Sequence, residues 1–221
     1  MSKSMSTERY VPALAYSWLT PAYDAVVRYT TRERLFKAAL LGQAGLVNGQ
    51  RVLDLACGTG TLTVAAKQQV PGAEIVGLDG DPAILARARA KAEHAGTAIR
   101  FDQALSYEMP YADASFDRVL SSLFFHHLSA EGKRRTFTEI HRVLKPGGEL
   151  HVADWGQAAN PLMRLAFLGI QLLDGFTNTA DNVRGRLPEF MREAGFPEVR
   201  EIRRFTTMWG TLSLYRARRP A

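Results

Sequence analysis

Apolar residues along this chain follow two alternating rhythms. Short, nearly continuous apolar runs read as strands buried on both faces, and longer stretches with apolar residues three and four apart read as helices. Arg51 to Leu55 is the first strand, and Thr61 to Gln69 is a helix stopped before Pro71 and Gly72. Glu74 to Leu78 is the second strand, with Asp79 at its end. Asp81 then caps a helix with Pro82 in its first turn, running through Leu85, Ala88 and Ala92 to Gly96. Ala98 to Phe101 and Phe116 to Ser122 are the third and fourth strands. A helix from Ser129 carries Phe137, Ile140, Val143 and Leu144 and is ended by Pro146, Gly147 and Gly148. Glu149 to Asp154 is the fifth strand. A helix from Leu187 to Ala194 closes at Gly195, and a last hairpin pairs Val199 to Thr206 with Thr211 to Arg216. Strands alternating with helices at this spacing predict an α/β, doubly wound parallel sheet with an antiparallel edge.

The flanks follow other rules. Residues 1–9 are polar and are expected to form a disordered tail. Residues 10–46 have helical spacing (Tyr16, Leu19, Tyr23, then Leu35, Ala38, Leu41) and are expected to form an N-terminal helical cap before a core domain over 47–221. Within that core, an apolar insert at 156–186 contains PLMRLAFLGIQLLDGF, residues 161–176. It reads either as a buried core helix or as a lid over a hydrophobic substrate.

Composition narrows the class. With 221 residues, 46% of them hydrophobic, the chain can bury one full core. Its one cysteine, Cys57, excludes an internal disulfide and a multi-cysteine metal site, so no metal is expected. MSKSMSTERY has no apolar signal region, and no run is long enough to span a bilayer, so a cytoplasmic protein is expected. The net charge of +6 permits attraction to nucleic acid, anionic lipid or an acidic ligand. The arginines near the C-terminus (Arg200, Arg203, Arg204, Arg216, Arg218, Arg219) read as a solvated sheet face.

Candidate chemistry concentrates after the first strand, in RVLDLACGTG. Ligands of doubly wound sheets sit at the carboxyl ends of the strands. Gly58 and Gly60 allow a sharp turn there and close approach to a ligand. Asp79, nineteen residues beyond Gly60, is placed to accept both ribose hydroxyls of an adenosine. The run is D-x-A-x-G-x-G rather than G-x-G-x-x-G, with Asp54 ahead of the turn. A carboxylate there repels a pyrophosphate and suits an ammonium. Adenosine joined to an amino acid is S-adenosylmethionine.

Four ordered motifs, VLDLACGTG, GLDGDP, PYADASFDRVLSSLFFHHL and RVLKPGGELHVADW, resemble those of the class I S-adenosylmethionine-dependent methyltransferases. The resemblance covers about residues 50–155, and LPEFMREAGFPEVR with the last two strands resembles that family's C-terminal part. It implies a Rossmann-like, seven-stranded sheet of order 3-2-1-4-5-7-6 with strand seven antiparallel, and S-adenosylmethionine as cofactor. Matching motif by motif, the cofactor residues are Asp54, Ala56, Gly58, Gly60, Asp79 and Gly80. Ala56 stands where many members have glycine, which is tolerable only at a negative φ. The family's adenine-binding aspartate falls on Leu105. Either Ala104, Leu105 and Ser106 hold adenine by backbone and packing, or Asp102 or Gln103 substitutes.

His126 and His127, after strand four, are the candidate bases. Tyr23 is expected to close over the cofactor's methionine end. Tyr16, Asp154 and Trp155 are expected to line the acceptor pocket. The chain lacks the Asn-Pro-Pro-Tyr type tetrapeptide of amino-group methylases and a Pro-Cys nucleophile. A small, hydrophobic acceptor is the first expectation, as in the branch that methylates quinone precursors and phospholipid headgroups, with peripheral membrane contact and no nucleic acid. The alternatives are an RNA or protein methyltransferase, or a cofactor-binding protein without transfer activity.

Overall fold

A computed structural model describes residues 32–221. The tail 1–9, most of the expected cap, and Tyr16 and Tyr23 lie outside these residues. The described chain begins with α1 (Glu33–Ala44), followed by β1 (Arg51–Leu55), α2 (Thr61–Gln69), β2 (Glu74–Asp79), α3 (Pro82–His94), β3 (Arg100–Gln103) and β4 (Phe116–Ser122). A short 3-10 turn, Phe125–His127, leads to α4 (Ala130–Val143) and β5 (Leu144–Trp155). Then come α5 (Pro161–Ala166), α6 (Leu168–Asp174), α7 (Phe176–Val183), α8 (Leu187–Glu193), β6 (Glu198–Thr207) and β7 (Gly210–Arg218).

The seven strands form one sheet of order β3-β2-β1-β4-β5-β7-β6. β1 to β5 run parallel, and β7 is antiparallel to both β5 and β6. The apolar runs are buried because helices cover both faces. On one face, Leu53, Leu55, Val76 and Val119 pack with Phe125, Phe137, Ile140 and Phe190. On the other, Val52, Leu120, Ala153 and Trp155 pack against Phe36, Leu40 and Leu41 of α1 and Leu62 of α2. Helix α1 runs against the strands. Its last residue, Ala44, accepts a bond from Arg118 near the start of β4, while Lys37 acts electrostatically on Asp54 near the end of β1. The chain therefore enters the described fold at the ligand edge of the sheet.

Several boundaries differ from expectation. β3 covers 100–103 rather than 98–101, because Val76 pairs with Arg100 and the amide of Thr97 is still bonded to Ala92 of the preceding helix. β5 starts at Leu144, not Glu149. Leu144 turns to an extended backbone and pairs with Phe116, so Pro146, Gly147 and Gly148 form an irregularity inside the strand rather than a helix stop. The apolar stretch 161–176 is not one helix: it is split into α5 and α6, with Met163 and Phe167 buried on one side and Leu162, Leu165, Leu172 and Phe176 exposed on the other. Arg200, Arg203 and Arg204 face solvent on the edge strand β6, as expected. Among the described residues no helix is long and apolar enough to cross a membrane, and no group of three or more side chains is arranged to hold a metal ion.

Candidate active site

The turn after β1 is made by three successive left-handed residues at alternate positions. Gly58 and Gly60 have φ of 54° and 74°, which glycine adopts without steric cost. Ala56 has φ of 54°, against the expectation of a negative value. Its Cβ makes this a strained conformation, costing of order 1 kcal/mol. The turn is fixed by Cys57 N–H donating to Leu78 O at 3.0 Å and by Gly60 N–H donating to Cys57 O at 3.0 Å. A second strained residue ends β4: Leu123, also at φ 54°, donates its N–H to Ala153 O at 2.8 Å. Neighbouring strands thus hold both ends in place, and strain sits where β1 and β4 meet the ligand edge.

Two acids flank this turn. Asp79 accepts the N–H groups of Gly58 at 2.9 Å and Asp81 at 3.0 Å, so it ties the glycine turn to the start of α3. Burial pushes its carboxyl above the usual range. Asp54 is fully buried. Its Oδ2 accepts from Thr63 Oγ1 at 2.6 Å, while its Oδ1 has no hydrogen-bond partner among the described residues. Burial raises its pKa to about 6. A buried carboxylate oxygen without a donor suits a cationic ligand, since an unmet acceptor is costly to bury. A Cβ on Gly58 would meet nothing within 4 Å, so the turn presents an open backbone face. A Cβ on Gly60 would lie 3.0 Å from that of Ala88, which requires glycine for close packing on α3. These features fit a ligand with an adenosine and an ammonium. Asp54 and its partnerless oxygen would hold the ammonium, and Asp79 the ribose. Burial also drives the Cys57 thiol upward, which makes it unreactive.

The residues after β3 are arranged for packing. Gln103 lies against Gly80, with Nε2 donating to its carbonyl at 3.5 Å. Asp102 is engaged by Tyr111 Oη at 3.0 Å and by Arg100 Nε at 2.9 Å. Leu105 is half-buried, and Ser106 turns into α4 to bond Thr136 Oγ1 at 2.8 Å.

His126 and Asp154 form a buried pair, with Nδ1 2.7 Å from Oδ1. The same carboxylate accepts N–H groups from Phe124 at 3.0 Å, Phe125 at 2.7 Å and Trp155 at 2.7 Å. Burial pulls Asp154 upward, but His126 and these donors leave it below the usual carboxylate range. Asp154 is therefore a post beneath the His126 turn, and its carboxylate is fully buried. Trp155 is also buried, edge-on to the His126 ring at 6.3 Å. His127 lies 4.0 Å from His126, ring to ring, and burial drives its pKa down to about 3, so it is neutral at pH 7.

Three residues of α7 and one lysine of α4 also support this turn without having been singled out from the sequence. Lys133, wholly buried, donates to Leu128 O at 2.8 Å and Asn178 O at 2.7 Å, and lies 3.5 Å from Asp181. Asn178 Nδ2 donates to His127 O at 3.0 Å. Asn182 Nδ2 donates to Trp155 O at 2.9 Å and to Asp154 Oδ1 at 3.3 Å. Lys133 had a legible signal: it falls in phase with Phe137 and Ile140 on the apolar face of α4.

A family model described as a methyltransferase domain matches residues 52–148. The chain is 42% identical over 146 residues to a demethylmenaquinone methyltransferase of Thermus thermophilus, covering 63% of this chain and 64% of that protein. It thus spans less than two thirds of that relative's length. It is 32% identical over 194 residues to an uncharacterized methyltransferase of Synechocystis, covering 84% of this chain and 85% of that protein. A phosphoethanolamine N-methyltransferase from Haemonchus contortus, solved with phosphomonomethylethanolamine and S-adenosylhomocysteine, shares the fold. Its TM-score is 0.67–0.68 at 18–19% identity, covering 84% of this chain and 52% of that one.

Proposed function

The chain belongs to the class I S-adenosylmethionine-dependent methyltransferases, and from that premise we propose that it transfers a methyl group to a small, hydrophobic acceptor of quinol type. The observation that carries the cofactor half is Asp54, whose buried Oδ1 lacks a donor among the described residues, beside an open glycine turn. The acceptor half is supported by the likeness to the Thermus demethylmenaquinone enzyme. Peripheral contact with a membrane and a cytoplasmic location fit an acceptor of this kind. Nucleic acid fits poorly: Arg204 is paired with Glu201 and Arg200 lies 3.6 Å from Glu198, so the edge arginines are partly neutralised.

S-adenosylmethionine, when bound, supplies a methyl group already activated by a sulfonium. The chain's own task is alignment and proton removal. Asp79 and the turn from Ala56 to Gly60 would hold the ribose and the backbone of the amino-acid moiety, and Asp54 the ammonium. His126 Nδ1 faces the Asp154 carboxylate, which orients the ring. In this reading the imidazole takes the proton from the acceptor hydroxyl as the methyl group is transferred. His127, held neutral, places no second positive charge beside that imidazolium.

The test is incubation with methyl-labelled cofactor and separate pools of reduced quinones, polar metabolites and RNA. Label in the quinone pool is expected. Label confined to polar metabolites or RNA would overturn the acceptor assignment.

A further inference from the structure

Most of the large apolar residues exposed among the described ones gather in one region. Of the eight large apolar residues exposed among the described ones, Leu162, Leu165, Leu172 and Phe176 lie on α5, α6 and the start of α7. Met208 joins them: its neighbour Trp209 packs on Gly169 of α6, and Gly210 packs on Phe167. Leu162 and Leu165 are one helical turn apart, so their side chains share a face. Leu162, Leu172 and Met208 are each about 70% exposed (67%, 74% and 69%). The group sits at the ligand edge, because the β6–β7 turn lies beyond the pair Trp155 and Leu212 at the carboxyl end of β5.

Burying leucine side chains is favourable, so leaving this many uncovered in one region is costly unless something covers them. The charge around the patch indicates what does. Residues 32–37 and 161–186 carry six basic and three acidic side chains. Glu33 is paired with Lys37, and Asp181 is buried against Lys133 and Arg186. The two segments thus carry a net positive charge, in a chain whose net charge is +6. Exposed apolar side chains on helices within positively charged segments are the pattern of interfacial helices on anionic lipid.

We propose that this edge docks on an anionic bilayer through α5 and α6, with Leu162, Leu165 and Leu172 entering the headgroup boundary. The proposal rests on the lipophilic-acceptor reading: the site then opens towards the phase in which such an acceptor dissolves, and α5 to α7 form the contact between them.

The full chain is sedimented with vesicles of phosphatidylcholine alone and of phosphatidylcholine mixed with phosphatidylglycerol, without acceptor or cofactor. Binding to the mixed vesicles, weakened by salt, is expected. The Leu162→Glu, Leu165→Glu, Leu172→Glu triple variant is expected to bind at least about tenfold more weakly, with cofactor affinity by calorimetry and helical circular dichroism unchanged. Absence of binding by the parent chain, equal binding by the variant, or patch-dependent self-association without vesicle binding would overturn the proposal. Vesicle binding with no quinone methylated would leave docking intact and sink the acceptor reading, and the converse result would do the reverse.

Discussion

His126 Nδ1 lies 2.7 Å from Asp154 Oδ1, and Asp154 in turn accepts the amides of Phe124 and Phe125, the residues that lead into the histidine turn. One carboxylate thus sets both the backbone and the ring of His126. His126→Gln should lower kcat by about a hundredfold or more, the usual contribution of a positioned base, with little change in cofactor affinity. Asp154→Asn should lower kcat too and shift its pH profile, because the ring loses its anionic partner. An unaltered kcat in His126→Gln would remove the base from the mechanism.

Asp54 gives the cofactor site a pH dependence. Its folded pKa is about 6 against an ordinary 3.8, so in the empty protein it keeps its proton across that interval. For folding, the contribution is present below pH 3.8 and is lost as pH rises towards 6. For an ammonium ligand the sense reverses: only the ionised form attracts it. Cofactor affinity measured by calorimetry should fall as pH drops below about 6. Asp54→Asn should bind more weakly at neutral pH and flatten that dependence.

Asp79→Ala removes the ribose acceptor and also releases the amides of Gly58 and Asp81. Hydrogen bonds to charged groups contribute about 1.5–3 kcal/mol, so affinity should drop by roughly ten- to a hundredfold. Binding equal to that of the parent chain, measured by calorimetry, would refute the ribose assignment.

Lys133→Met would leave Asp181 and two carbonyl groups without their buried donor. Breaking a buried ion pair from one side costs about 3–5 kcal/mol. The loss should appear locally, as faster amide hydrogen exchange in 176–183 and 124–128, before it appears in global unfolding.

The core strands were legible because their neighbours specify them twice. β1, α2 and β4 match residue for residue, since continuous apolar runs end at clear caps and turn residues. The start of β5 was not legible, because Pro146, Gly147 and Gly148 signal a helix stop, while pairing of Leu144 with Phe116 is a long-range event. The left-handed Ala56 was hidden for the same reason: no local preference favours it, and Leu78 and Asp79 impose it from another strand. Asp54, Asp79 and His126 could be placed from motif position. Asn178 and Asn182 bond groups more than 25 residues away, and the sequence of α7 does not show which distant groups its polar side chains meet.

Ala56 also bears on what the cofactor senses. A short peptide of residues 51–61 would not keep that backbone, because alanine gains by leaving the left-handed region and nothing in the segment opposes it. The turn exists only while β2 is docked beside β1. Donor recognition is therefore a property of the assembled sheet rather than of a transplantable loop, and occupancy of the site serves as a gauge of whether the whole domain is folded.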